Sequence, residues 1–329
     1  MSGQDERLAF GAAAIPEPDK AWLAAVERLP IASVWQGGHV LPPSPTGEAI
    51  TRLALLTAWT ERVRVGTAVL LLPLYHPVIV AKQLADLDAR SGGRVSVGVG
   101  VGGEFRSEFE AVGVPLAERG ARTDEALQVL RKLWSGRPVG HDGKFFHLDD
   151  VELRPVQPPG DDGPGMQPGG PPLLISGRKA PAMRRAARLG DGWMPYLVSP
   201  DAYARSVRAI RDEAAQAGRD LDGDGFEWLL FLYCSIRRDG DRAREDVARF
   251  LGRAYGDKPD AQLQRIAPAG TPEEVATRLQ DYVDAGVRHV VIAPAAHDDT
   301  LEVVTLAAEE VLPRLHLPSA GSDAEGAAP

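Results

Sequence analysis

RVSVGVGVGG, from Arg94 to Gly103, is the stretch on which the fold turns. Valine alternates with serine and glycine, and no charge interrupts the run after Arg94. Such a run reads as a buried strand, and its glycines let backbone come close to a ligand. Gly98, Gly100 and Gly103 satisfy the dinucleotide pattern G-x-G-x-x-G. In the dinucleotide fold that turn ends the first strand, and an acidic residue about twenty positions on ends the second. Here Glu118 has the spacing but opens a helical pattern, with no strand between it and Gly103. Three strand–helix units also precede the motif. Glycines serving core packing alone are a second reading. The order of the chain favours a third, a ligand site at the C-terminal end of a fourth barrel strand.

Working outward, apolar runs at 8–15, 31–35, 63–72, 95–101, 173–176, 192–196, 226–236 and 289–293 read as strands. Helical spacing lies between them, at 19–29, up to Trp59, 77–90, 116–134, 181–189, 200–217, 271–285 and up to Leu312. Thr46 is placed to cap the helix ending at Trp59. Thr271, Pro272 and Glu274 form a capping box with proline at the first helical position. Strand–helix alternation predicts an α/β fold with a parallel sheet. Eight such units predict a closed (β/α)8 TIM barrel. The rhythm breaks after the fourth unit, at about 136–172, where a small strand pair near 145–153 precedes a Pro/Gly-rich excursion at 155–172. We expect one domain over 1–317 and a disordered tail over 318–329.

Composition narrows the function classes. The 329 residues carry a formal net charge of −9, which argues against a nucleic-acid-binding surface. Cys234 is the lone cysteine, so neither an internal disulfide nor a cysteine metal cluster is available. The seven histidines lack a spaced carboxylate pattern, and no metal is expected. No run is long enough to cross a bilayer and no leader pattern opens the chain, so the expected setting is cytoplasmic.

Six segments, in order, resemble the bacterial luciferase-like superfamily of flavin- and F420-dependent oxidoreductases. They are SVWQGGH (33–39), RVRVGTAVLLLPLYHPVIVAKQLADLDARSGGR (62–94), VSVGVGVGGEF (95–105), RGARTDEALQVLRKLW (119–134), PPLLISGRKAPAMRRAARLGDGW (171–193) and AGTPEEVATRLQDYVDAGV (269–287). The resemblance implies a TIM barrel with an insertion, a homodimer, and hydride transfer between a deazaflavin, coenzyme F420, and a small organic substrate. An FMN-using monooxygenase and a non-catalytic flavin-binding barrel are the alternatives.

His39 ends the second strand, where an imidazole suits proton transfer to or from a substrate oxygen. Family members that use a deazaflavin often have Asp-His here; this chain has Gly38 before His39, which leaves Glu48 as the candidate partner, or as a first-turn acid favoured by the helix dipole. The resemblance places a non-prolyl cis peptide at Ala68–Val69, behind the flavin-type ring. Gly100, Val101, Gly102 and Gly103 would line the cofactor from the fourth strand. Val101 stands where luciferase has a phosphate-binding arginine, which favours F420 over FMN. Gly103 stands where the glucose-6-phosphate dehydrogenase branch has a glutamate, although Glu104 is adjacent. Ser176, Gly177, Arg178 and Lys179 open a helix and read as a phosphate site. Trp35, Trp193 and Tyr196 fall at strand ends and are candidates for an aromatic wall, with Trp193 assigned to the cofactor.

Overall fold

A computed structural model of the protein describes residues 8–318 except 16, 18, 43, 44, 156–164, 224, 256–264 and 297. The barrel strands are β1 (Ala9–Ala13), β2 (Ser33–Gln36), β3 (Arg64–Leu71), β4 (Val95–Gly100), β5 (Leu173–Ile175), β6 (Gly192–Trp193), β7 (Glu227–Ile236) and β8 (His289–Pro294). Each pairs in parallel with the next. β8 returns to β1, with Phe10 opposite Val290, and closes the barrel. A ninth short strand, Ala269–Gly270, extends β7 outside the closed ring.

Alternation along each strand builds two cores. Trp35, Leu174, Leu229, Phe231, Val291 and Ala293 pack together inside the barrel. Their neighbours Val34, Leu230, Leu232, Val290 and Ile292 face the helices. Fully burying one such side chain contributes about 1.5–3 kcal/mol. The expected capping box is present at Thr271–Glu274. Glu48, not Thr46, caps the helix Ala49–Trp59, its carboxylate accepting from the N–H groups of Ile50 and Thr51.

The insertion after the fourth unit holds an antiparallel hairpin, Val139–Asp142 against His147–Val151. Its turn is pinned to the helix Arg119–Leu133, because the Glu125 carboxylate accepts from the N–H groups of Lys144, Phe145 and Phe146. Residues 156–164 of the 155–172 excursion, and the tail after Pro318, lie outside the described residues. Two helices are additional to those read from the sequence, Arg106–Ala111 and Gly240–Tyr255.

A polar chain closes the base of the barrel. Trp35 Nε1 donates to Ser33 Oγ at 2.7 Å, and Ser33 Oγ lies 2.8 Å from His289 Nε2. The indole nitrogen donates to Ser33, whose hydroxyl can either donate to Nε2 or accept from it. Burial, and then the charge of Arg64, push the His289 pKa down to about 3. The unfolded chain therefore takes up a proton that the folded chain refuses as pH falls from about 6.5 to 3. The stabilisation from neutral His289 is complete above about pH 6.5 and shrinks by about 2 kcal/mol by about pH 5. Urea midpoints at neutral pH and at pH 5 check this: the wild-type fall is expected to flatten in His289→Gln. An equal fall in both proteins would assign the acid sensitivity elsewhere.

Candidate active site

A cavity of about 640 Å³ opens at the C-terminal ends of the strands. β3 makes its floor. Its register to β4 steps from Thr67 opposite Val97 to Leu70 opposite Val99, an extra residue and hence a bulge. The Ala68–Val69 peptide inside that bulge is cis. Its neighbours must be bare. A Cβ on Gly37 would stand 2.6 Å from Ala68 O, and one on Gly100 would stand 2.5 Å from Val69 Cγ2. Thr67 Oγ1 donates to Gly98 O at 2.9 Å and ties the bulge to β4. The floor is thus a strip of glycine and small apolar backbone, open to a flat ring.

His39 lies on the cavity wall at the end of β2. Its side chain is 26% exposed, and its Nδ1 lies 3.2 Å from an oxygen of the fully buried Glu108. That carboxylate also accepts from Val40 N at 2.7 Å and Leu41 N at 3.0 Å. The Phe105 ring meets the imidazole edge-on, with centroids 4.9 Å apart. The carboxylate fixes Nδ1 as the donor, which leaves Nε2 as the proton-exchanging atom. The partner of His39 is therefore Glu108 and not Glu48, which corrects the sequence reading. Glu48 is occupied by its helix N-terminus and by Tyr75 Oη at 2.7 Å. Burial acts to raise the Glu48 carboxyl, but these hydrogen bonds outweigh it and hold it below the usual carboxylate range.

The other end of the cavity is built by Val101, Gly102, Ser176 and Gly177. Gly102 and Gly177 adopt φ of 64° and 125°, which a side chain would resist. The cations expected here lie elsewhere. Arg178 Nη1 donates to Leu197 O at 2.7 Å, and its guanidinium sits 5.1 Å from the Tyr196 ring centroid. Lys179 caps the helix Ala180–Leu189 with no side-chain bond to it and is exposed. Trp193 is likewise corrected. It is fully buried, packs on Tyr203, and donates Nε1 to Gly177 O at 2.8 Å, so it holds the loop from behind.

Behind Gly103 stands a residue not singled out from the sequence. Arg119 Nη1 donates to Leu116 O, but its buried Nε has no partner among the described residues. A Cβ on Gly103, which has φ of 112°, would stand 3.2 Å from that Nε. Neither Gly103 nor Arg119 lines the cavity; the bare Gly103 leaves room for the Arg119 side chain behind it. Among the described residues, no group of three or more His, Cys, Asp or Glu side chains is placed to hold a metal ion. No described helix is long and apolar enough to cross a membrane.

A closed (β/α)8 barrel with a cavity at the C-terminal ends of its strands is the architecture of TIM-barrel enzymes. The chain belongs to the luciferase-like monooxygenase family, whose model matches residues 14–289. A protein of Beutenbergia cavernae, "F420-dependent glucose-6-phosphate dehydrogenase", is 30% identical over 351 aligned positions, covering 94% of this chain and 97% of that one. The "5,10-methylenetetrahydromethanopterin reductase" of Archaeoglobus fulgidus is 23% identical over 303 positions, covering 80% and 86%. Among solved structures, an F420-dependent secondary alcohol dehydrogenase superposes with a TM-score of 0.80 at 23% identity, covering 94% of this chain and 99% of that chain.

Proposed function

We propose that the protein is an F420-dependent oxidoreductase acting on a small alcohol or carbonyl substrate. The observation that carries this reading is the His39–Glu108 pair beside the bare floor of the cavity. Relatives named as F420-dependent enzymes, at 28–30% identity, support it. A bound deazaflavin supplies a ring carbon that accepts or releases a hydride. The chain supplies the rest. Gly37, Gly100 and the Ala68–Val69 backbone present a flat floor. Gly102 and Gly177 present bare backbone at the end where a phosphate-bearing tail belongs. His39 Nε2 takes a proton from a substrate hydroxyl, or returns one to a carbonyl oxygen, and Glu108 holds the ring in the required tautomer. The absence of a lining arginine at Val101 favours F420 over FMN. A homodimer and a cytoplasmic setting belong to the same reading.

Anaerobic fluorescence titration tests the cofactor. F420 is expected to bind at least about tenfold more tightly than FMN, a difference of about 1.4 kcal/mol. Tighter binding of reduced FMN, with oxygen consumption, would replace this reading with a monooxygenase. No binding of either would leave a non-catalytic barrel.

A further inference from the structure

The wall opposite the glycine floor has a different chemistry. Phe231 and Tyr233, two residues apart on β7, both point into the barrel, and Phe250 joins them from the helix Gly240–Tyr255. The rings form a ladder. Phe231 and Tyr233 meet edge-on at 5.5 Å, and Tyr233 and Phe250 are tilted at 5.7 Å. Tyr196 and Met194 continue the wall beside Phe231.

Cations are scarce on this cavity. Arg52 is the only Lys or Arg among its described lining residues, and it is committed. Its Nη1 donates to Gly37 O at 2.7 Å, and its guanidinium pairs with Glu17 at 2.8 Å. Glu17 also accepts from Gln36 Nε2 and Gly47 N. Glu17 and Glu104 place two carboxylates on the lining. A substrate phosphate requires cations or free donors, and like charge facing it is unfavourable.

We infer that the substrate is an uncharged alcohol or ketone with an apolar, ring-sized body that packs on the Phe231–Tyr233–Phe250 ladder, and not a sugar phosphate. This rests on the cofactor reading above, because a flat ring on the glycine floor leaves the ladder as the surface facing substrate. Apolar area on the ladder supplies the affinity, and His39 meets the oxygen. The inference separates this chain from relatives whose name carries glucose-6-phosphate.

The test is equilibrium binding to the F420-loaded protein, read by calorimetry, with 1-phenylethanol and glucose-6-phosphate as probes. 1-Phenylethanol is expected to bind at least about tenfold more tightly. Phe250→Ala is expected to weaken it about tenfold to thirtyfold, the loss of one aromatic face, while the F420 Kd stays within about twofold. Phe250→Leu, which keeps an apolar body, is expected to recover part of that loss and to exclude misfolding as its cause. Tighter binding of glucose-6-phosphate, or no effect of Phe250→Ala on 1-phenylethanol, would overturn the inference. Should F420 itself fail to bind, the cofactor reading fails. The same titrations on the unloaded protein then decide this one: a Phe250-dependent preference for 1-phenylethanol supports it, and its absence refutes it.

Discussion

His39→Ala is expected to lower kcat by about 10²–10⁴-fold, the usual worth of a positioned acid/base. The F420 Kd is expected to hold, because the imidazole lies on the wall and the floor is backbone. Added imidazole is expected to restore part of the rate, which lost packing would not allow. Glu108→Gln is expected to fall less, by about tenfold or more, with KM little changed, since it leaves His39 in place and disturbs only its tautomer and aim. Glu108 also gathers Val40 N and Leu41 N, so the amide is a safer probe than alanine. A His39→Ala enzyme within about twofold of wild type would remove the pair from the chemistry.

Gly98→Ala is expected to destabilise the fold by about 2–3 kcal/mol or more, at the upper end of overpacking costs. The added Cβ would fall inside van der Waals contact of both Thr67 O and Met194 Cε. The methionine can move; the carbonyl cannot, because it belongs to the bulged edge of β3. Gly140→Ala is the control. Its Cβ would have its nearest neighbour, Leu148 O, at 3.6 Å, and it is expected within about 0.5 kcal/mol of wild type. Chemical denaturation of both variants checks the pair. Equal stabilities would mean that Gly98 is not held by the bulge.

The glycine-rich stretch at 94–103 was legible as a strand because a parallel barrel buries both faces, leaving an unbroken apolar run. Its fold was legible from order, since three βα units come before it. The chemistry of those glycines was only half legible. Gly98 and Gly100 answer to the β3 bulge, and Gly103 answers to Arg119. Those contacts depend on register and on a helix turn, which composition does not encode. Glu108 was missed for a related reason. It sits on a six-residue helix, Arg106–Ala111, with no side-chain cap, and meets His39 across 69 residues. The Gly240–Tyr255 helix, which brings Phe250 to the cavity, was also missed, because its charged surface hides the stripe formed by Ala243, Val247 and Leu251. Arg178 and Lys179 looked like a phosphate site from their place at a helix start. Local pattern cannot say which way a guanidinium turns, and Arg178 turns to Tyr196 and Leu197.

The proposed chemistry brings a substrate carbon against a deazaflavin, with His39 managing the proton. Its most direct test is isotope transfer in a single anaerobic turnover, using a secondary alcohol deuterated at its carbinol carbon and F420 as acceptor. The deuterium is expected to appear in the reduced deazaflavin, and His39→Ala is expected to abolish the transfer within the same time. Deuterium released to water, or transfer undiminished in His39→Ala, would contradict it.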